Sequence, residues 1–191
     1  GSIFKKKQSA RYILTINNYE GLVRVCNLIN GYMRGPKSKQ LILLINYLNN
    51  KKPELNIRYK GINNNPLGKD KWFTGFIESD GSFQVRTSLN SKYPRLSLSF
   101  ELAQSQTTSY GDSMFKIIAL IAKLIEVNVK ETKRYTKFPQ YRVRTTSLKT
   151  NIIIRDYLDK YPLIGTKYLD YKDWCKVLKF FEEGTHKENR E

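Results

Sequence analysis

Residues 72–83 read WFTGFIESDGSF: an apolar run leads into an acidic pair and a glycine. The run 73–77 carries no charged face, which a surface helix should have. The small residues Thr74, Gly75 and Ser79 would let a second helix backbone approach closely. Such a helix would end with carboxylates at the bottom of a helix–helix interface, where a hard divalent cation is the usual way to neutralise them. The alternative is a buried helix ended by an ordinary Asp-Gly turn.

The composition predicts a polyanionic partner. Thirty-four basic residues against 17 acidic ones give a net charge of +17, and basic side chains gain free energy by displacing counterions from nucleic-acid phosphates. A membrane surface is the rival partner, but the chain has no long apolar span and its basic residues alternate with Tyr, Thr and Gln. We therefore expect nucleic acid and no membrane. The heavy use of Asn, Ile, Lys and Tyr is typical of A/T-rich codons and favours an organellar, mitochondrial location.

Cysteine and histidine chemistry is not expected. Cys26 and Cys175 both lie in apolar helical patterns, which favours buried free thiols over a disulfide or a zinc site. The single histidine, His186, lies in a polar tail. Nuclease mechanisms that need clustered histidines are therefore excluded.

Alternating residues after Gly81 predict strands, with a turn at 90–94, a helix at 112–125, and further strands at 129–135 and 140–146. One face of these strands is apolar and should pack on helices. The opposite face carries donors that suit base edges in a major groove: Gln84, Arg86, Arg95, Ser97, Lys130, Thr132, Arg134, Gln140, Arg142 and Arg144. Only Glu101 and Glu131 interrupt the positive charge, so we favour nucleic-acid contact over an ordinary solvated face. Outer lysines, namely Lys92, Lys133 and Lys137, would touch phosphates.

The chain also repeats itself. Residues 12–48 and 141–178 both predict a strand, a helix, a glycine-containing turn with a lysine, and a second helix. The second copy alone is preceded by the 72–83 segment, a hairpin and another helix. We therefore expect the C-terminal part of a first unit at 3–50, a linker at 51–69, a complete second unit at 70–181 and a flexible tail at 182–191.

Residues 73–81 resemble the nine-residue signature of the LAGLIDADG homing endonucleases and intron maturases. Gly75, Ile77, Asp80 and Gly81 match that motif outright, and the other positions carry related residues. Residues 161–171 resemble the lysine-bearing loop and helix near the end of a family repeat. The resemblance covers nearly the whole chain. It implies an α+β fold: an αββαββα repeat with an antiparallel, saddle-shaped sheet, preceded by a partial first repeat.

The same resemblance implies how the two repeats join. In the family, two signature helices pack together and each donates an acid to a shared site. The residues that would form this helix interface are Trp72, Phe73, Gly75 and Phe76.

By matching motif positions, Asp80 is the expected ligand of Mg²⁺, assisted by the backbone carbonyl of Ser79. Phosphodiester cleavage needs a nucleophilic water and neutralisation of charge on the phosphate, and bound Mg²⁺ supplies both. Lys167 would polarise the scissile phosphate or orient water, and Lys37 occupies the equivalent place in the first unit. Glu78 would stabilise the helix end or the sheet junction rather than bind metal. The alternative for either lysine is a solvated loop charge.

A rival nuclease constellation is Asp112 followed by Glu131 and Lys133 on a predicted strand. Such triads arise often by chance in a lysine-rich chain. Asp112 is better interpreted as the N-cap of the helix that contains Phe115.

One signature motif leaves the expected site without its partner acid. The chain would then be one half of an endonuclease whose other half lies upstream or on another chain, a homodimer, or a protein that has lost cleavage. We expect a site-specific, intron-encoded endonuclease that hydrolyses double-stranded DNA with Mg²⁺ and needs a second LAGLIDADG half. The alternative is an RNA-binding intron maturase, or a splicing or ribonucleoprotein assembly factor.

Overall fold

The structure, a computed structural model, describes residues 1–7, 12–88, 95–132 and 139–185. Its chain divides between Asn64 and Asn65 into two units, which we describe separately. Across the described ranges, none of the helices has the length and apolar character needed to span a bilayer.

In its described residues, the first unit contains two strands, two α-helices and a short 3-10 helix at Pro53–Leu55. The strands and α-helices are β1 (Ser2–Lys5), β2 (Tyr12–Thr15), α1 (Tyr19–Ile29) and α2 (Ser38–Lys51). The strands pair antiparallel, with Ile3 opposite Leu14. The small core lies between the helices and is formed by Cys26, Leu41, Ile45 and Leu48. Cys26 is a free, buried thiol, and burial raises its pKa.

Two asparagines fix the segment that follows α2 against this unit. The Asn30 side chain donates to the Arg58 carbonyl and accepts from the Lys60 amide, both at 2.9 Å. Asn49 does the same with the carbonyl and amide of Ile57, also at 2.9 Å. Pairing both functions of a largely buried amide avoids the cost of an unsatisfied polar group. Residues 56–60, within the stretch for which the sequence predicts a linker, are therefore held by side chains of the first unit.

The second unit follows the order helix, two strands, helix, two strands, two helices. Its elements are α3 (Trp72–Asp80), β3 (Gly81–Ser88), β4 (Arg95–Ser105), α4 (Phe115–Leu124), β5 (Lys130–Glu131), β6 (Gln140–Arg144), α5 (Leu148–Lys160) and α6 (Lys167–Glu182). The four strands form one antiparallel sheet in the order β3-β4-β6-β5. This order confirms the predicted α+β fold and its αββαββα repeat.

The apolar face of this sheet packs on the helices. Phe100 at the centre of β4 is fully buried and contacts Phe73 of α3 and Phe83 of β3. Trp174 of α6 also packs on Phe83, and its indole N–H donates to the Ser99 carbonyl at 3.2 Å. The aromatic core therefore ties the first and last helices of the unit to the same two strands.

Three predicted boundaries shift. The prediction that Asp112 caps α4 is wrong, because residues 107–113 form a tight turn around Gly111 (φ +82°) and the helix begins at Phe115, after Met114. β6 ends at Arg144 because Thr145 turns inward, where its hydroxyl accepts from the Phe100 amide at 2.7 Å. α6 continues to Glu182, into the predicted tail. The predicted turn at 90–94, part of the predicted strand 129–135, and His186 lie outside the described residues.

Candidate active site and nucleic-acid interface

Helix α3 has an inner and an outer face. Phe73, Thr74 and Ile77 are buried inside the second unit. The outer face carries Trp72, Gly75, Phe76 and Ser79, which have the i, i+3, i+4, i+7 spacing of one side of a helix. Phe73, predicted at a helix–helix interface, lies instead in the core at 0% exposure. It cannot contact a second helix while the unit stays folded.

The outer face of α3 is mainly apolar. The rings of Trp72 and Phe76 stack at 5.0 Å between centroids, with 16° between their planes. A Cβ added at Gly75 would meet no atom of this chain within 4 Å. Packing within the unit therefore does not require a glycine here, whereas close approach of another backbone would.

Tyr157 of α5 anchors the beginning of α3. Its hydroxyl donates to the Asp70 carbonyl at 2.8 Å and accepts from the Thr74 amide at 3.1 Å. The Thr74 hydroxyl donates to the Tyr161 carbonyl at 2.7 Å. Burial raises the pKa of Tyr157, which keeps the phenol protonated as the donor that this arrangement needs. These bonds satisfy an amide in the first turn of the helix, where no intrahelical acceptor exists.

The end of α3 presents the carboxylate of Asp80 to solvent. Asp80 Oδ2 accepts from the Ser79 hydroxyl at 2.8 Å and from the Gln104 side-chain amide at 2.6 Å. The next residue must be glycine, because a Cβ at Gly81 would lie 2.8 Å from Ile77 Cγ2 and 2.9 Å from the Ile77 carbonyl. Because residue 81 is a glycine, β3 can begin directly after Asp80, at the end of α3.

Gln104 was not among the residues predicted for this site. It lies near the end of β4, and the pairing of Gly81 with Leu102 brings this part of β4 beside the end of α3. The hairpin register is the pattern that could have identified it. However, that register depends on where the two strands end, which the alternation alone does not fix.

Lys167, the first residue of α6, reaches the same place. Its ammonium group donates to the Gly81 carbonyl, one residue beyond Asp80. Glu78 Oε1 accepts from the backbone amides of Ile164 and Gly165, in the loop that leads to this lysine. The structure thus brings Ser79, Asp80 and Lys167 together, and it assigns Glu78 to the loop. Lys37 is the exposed residue before α2, in the first unit.

The oxygen donors at this site fit a share of a Mg²⁺ site. Asp80 supplies one exposed carboxylate, and the carbonyl of Ser79 is among the last four of α3, which lack helical partners. Magnesium keeps several waters and typically takes only one or two protein carboxylates together with substrate phosphates. No group of three or more His, Cys, Asp or Glu side chains suited to a metal occurs in the described ranges.

The register of the sheet places the predicted nucleic-acid contacts on one face. Arg86 lies opposite Ser97, Glu101 opposite Arg144, and Lys130 opposite Arg142. Residues that share this face by strand alternation are Gln84, Arg86, Arg95, Ser97, Lys130, Thr132, Gln140, Arg142 and Arg144. We call this set the polar sheet face. Arg134 of the predicted set lies outside the described residues.

Glu101 is the one acid that the register puts on the polar sheet face. Its Oε2 lies 3.8 Å from Arg142 Nη1 and 3.7 Å from Arg144 Nε, and its side chain is 17% exposed. The Arg144 Nε–H also donates to the Ser99 hydroxyl at 3.2 Å. Glu131 was expected to interrupt the same face, but it pairs with Tyr141 and so belongs to the opposite face. Since Lys133 lies outside the described residues, the rival Asp112–Glu131–Lys133 triad is not placed by the structure.

Comparison with known proteins decides the family. The LAGLIDADG endonuclease family model matches residues 73–178, from the second position of α3 to the buried Leu178 of α6. The chain belongs to the LAGLIDADG endonuclease family. This confirms the resemblance inferred from residues 73–81, and LAGLIDADG proteins of known structure share the fold. The meganuclease I-SmaMI bound to DNA superposes with a TM-score of 0.72 at 20% identity, covering 97% of this chain and 73% of that one. I-LtrWI bound to its target DNA gives 0.64 at 19% identity, with 97% and 72% covered.

Two sequence relatives are fungal intron products. The intron-encoded DNA endonuclease aI3 of Saccharomyces cerevisiae is 28% identical over 93% of this chain and 50% of its own length. An uncharacterized 37.2 kDa cox1 intron-2 protein of Schizosaccharomyces pombe is 24% identical over 97% of this chain and 54% of its own length. The chain thus spans about half the length of these LAGLIDADG relatives.

Proposed function

We propose that this chain forms one half of an intron-encoded, site-specific endonuclease that hydrolyses double-stranded DNA with a divalent metal ion. The observation that carries the proposal is the bond from the Lys167 ammonium group to the Gly81 carbonyl, directly after the exposed Asp80 at the end of α3. An exposed carboxylate, an ammonium group and a basic sheet belong to one unit. Hydrolysis of a phosphodiester needs these groups: an oxygen ligand for a metal, a cation for the phosphate, and a surface that holds the duplex.

Each residue has a role in this proposal. Asp80 and the Ser79 carbonyl supply the metal-ligand oxygens, while Gln104 and the Ser79 hydroxyl orient the carboxylate. When bound, Mg²⁺ supplies an activated water and neutralises charge on the scissile phosphate. Lys167 adds a positive charge beside that phosphate. Lys37, in the matching loop of the first unit, is proposed for the same role at the second scissile phosphate.

The outer face of α3 is the proposed seat of the second LAGLIDADG helix. Trp72, Gly75 and Phe76 offer two aromatic rings and one position without a Cβ, which suits close helix packing. A second helix of this kind would bring its own carboxylate to the site. The relatives are about twice as long as the matched region, which supports a partner half within a longer polypeptide or on another chain.

Double-stranded DNA is the nucleic acid that the polar sheet face suits best. The β3–β4 ribbon is narrow enough to enter the major groove of B-DNA. The major groove of A-form RNA is deep and narrow, and side chains cannot read it. The relative at 28% identity is named a DNA endonuclease, and the relative named for a cox1 intron supports an organellar site of action.

A cleavage selection tests the proposal. The chain, alone and with candidate partner halves, is incubated with a randomised duplex library and Mg²⁺, and cut ends are sequenced. One recurrent target sequence, cut only with divalent metal, is the expected result. Tight binding of structured intron RNA without any duplex cleavage would instead favour the maturase alternative.

Arg86→Ala should weaken binding to the selected duplex. The Arg86 guanidinium donates to Gln84 Oε1 at 2.7 Å on the polar sheet face, where it can present its remaining donors to a base edge. We expect a loss of about 1–3 kcal/mol and relaxed preference at one base pair if it contacts a base. A salt slope reduced by about 1 would indicate a phosphate contact instead. Fluorescence anisotropy at several salt concentrations measures both.

Lys149→Ala is the matched control for Arg86→Ala, because it also removes one positive charge. Lys149 lies on α5 and pairs with Glu126 at 2.5 Å, away from the polar sheet face. If both substitutions weakened binding equally, the effect would reflect net charge, and the assignment of Arg86 would be wrong.

A further inference from the structure

The carboxylate of Glu78 binds the loop that carries Lys167. Glu78 Oε1 accepts from the Ile164 amide at 2.6 Å and from the Gly165 amide at 2.7 Å. These residues are 86 and 87 positions away along the chain. Hydrogen bonds to an ionised acceptor are shorter and about twice as strong as those between neutral groups. A single side chain of α3 thus holds two consecutive amides of this loop.

Side-chain packing does not hold Ile164 in place. Leu163 is buried, but the next side chain, Ile164, is 95% exposed. Gly165 lies so close to Glu78 that an added Cβ would be 2.8 Å from Oε2 and 3.4 Å from Cδ. Since Gly165 has no positive φ, its glycine serves this close approach and not an unusual backbone conformation. The carboxylate therefore supplies the bonds that hold the amides of residues 164–165 against α3.

Lys167 also bonds to the end of α3. Two residues after Gly165, its ammonium group donates to the Gly81 carbonyl, directly after Asp80. The end of α3 therefore contacts the loop at Glu78 and the lysine at Gly81. Without the Glu78 bonds, α6 would still be packed on Phe83 through Tyr171 and Trp174, but the loop before Lys167 would lose two hydrogen bonds to α3.

We propose that Glu78 is a positioning residue that holds the ammonium group of Lys167 on the Gly81 carbonyl, directly after Asp80 at the end of α3. It acts through the amides of Ile164 and Gly165, and Gly165 leaves room for it. For its effect on cleavage, this inference rests on the proposed nuclease function. The bonds to the two amides do not depend on that function and are tested separately.

Hydrogen exchange of the free protein tests the contact itself. NMR should show slow exchange at the Ile164 and Gly165 amides in the wild-type chain, because both are bonded to Glu78. Glu78→Ala should make both fast, and Lys167→Ala should leave them slow. Gly165→Ala, which displaces the carboxylate without removing it, should accelerate the Ile164 amide. Unchanged exchange at Ile164 in Glu78→Ala would overturn the proposal, whether or not the protein cuts DNA.

Single-turnover cleavage at saturating DNA tests the consequence. Glu78→Ala should lower the rate by about 10²-fold, the cost expected for misplacing a catalytic group by about 1 Å, with Kd nearly unchanged. Glu78→Gln, which keeps an acceptor oxygen, should recover most of the rate. The double variant with Lys167→Ala should be no slower than Lys167→Ala alone, since Glu78 acts through that lysine. Effects that multiply, or a wild-type rate in Glu78→Ala, would overturn the proposal.

Controls separate this result from others. Asp173→Ala removes an exposed acid on α6 that pairs with Lys176, and it should cut at the wild-type rate. Circular dichroism spectra and thermal melting show whether each variant is folded. If Glu78→Ala does not fold, Gly165→Ala is used in its place in the cleavage assay. If the wild-type chain cuts no duplex in any assembly, the proposed function fails, while the exchange data still decide the role of Glu78.

Discussion

Asp80→Asn is expected to abolish metal-dependent cleavage while leaving DNA affinity intact. Asparagine has the same shape as aspartate but removes the negative charge that a hard cation needs. It also replaces one carboxylate oxygen with an NH₂ donor. Ser79 and Gln104 both donate to Oδ2, at 2.8 and 2.6 Å, so the amide oxygen of asparagine can keep these two bonds by taking the Oδ2 position. We expect the single-turnover rate to fall by at least about 10³-fold, below what the cleavage assay detects. The affinity for DNA should not fall, because the negative charge that the substitution removes repels the DNA phosphates.

The measurement pairs quench-flow cleavage with anisotropy titration of the same duplex. Asp173→Asn provides the control, since it changes an exposed acid of the same unit that lies 2.8 Å from Lys176. Cleavage by Asp80→Asn at the wild-type rate would show that the metal is bound elsewhere. A rate loss explained entirely by weaker DNA binding would equally contradict the role of Asp80.

Phe73→Ala is expected to lower the free energy of unfolding of the second unit by about 3–5 kcal/mol. Phe73 has no exposed surface. Its ring meets Phe100 edge-on at 6.4 Å and Tyr157 at 5.2 Å between centroids, so truncation leaves a cavity that three elements line. A loss of this size is a large share of the stability of a domain of this length. Urea denaturation followed by circular dichroism measures it.

Phe76→Ala is the matched comparison, because it makes the same truncation one turn further along the same helix, at a residue that is only partly buried. Phe76 stacks on Trp72. We expect its unfolding midpoint to change little and its association with the partner half to weaken, which sedimentation velocity detects. If Phe76→Ala destabilised the chain as much as Phe73→Ala, or left association unchanged, the assignment of the outer face to the partner helix would be wrong.

The strand faces could be predicted from sequence because their evidence is local. Side chains alternate with a period of two, so Gln84 and Arg86 must share a face whatever the rest of the chain does. The same holds for Gln140, Arg142 and Arg144. Antiparallel pairing of β4 with β6 then placed both sets on the same side. Glu131 was misplaced although the same alternation, with Lys130 and Thr132 on the polar face, already puts it on the opposite one.

The inner and outer faces of α3 could not be predicted in this way. Aromatic residues occur on both sides of the helix, so Phe73 and Phe76 are equivalent in any apolar pattern. Their difference arises from tertiary packing on Phe100 and Tyr157. The contacts of Glu78 and Gln104 could not be predicted for the same reason. Their partners lie 86 and 24 residues away along the chain, and local sequence patterns do not indicate contacts at such separations. Asp112 was mistaken for a cap because a turn around Gly111 delays the helix.

The most direct test of the central claim is cleavage of one selected duplex, measured with Mg²⁺ and with chelator, for the wild-type chain and Asp80→Asn in the same assembly. Intron RNA is added as competitor. The proposal predicts cutting at one sequence by the wild-type chain only when Mg²⁺ is present, no cutting by Asp80→Asn, and weak competition by RNA. Duplex cleavage that survives Asp80→Asn, or tight RNA binding without any duplex cleavage, would contradict it.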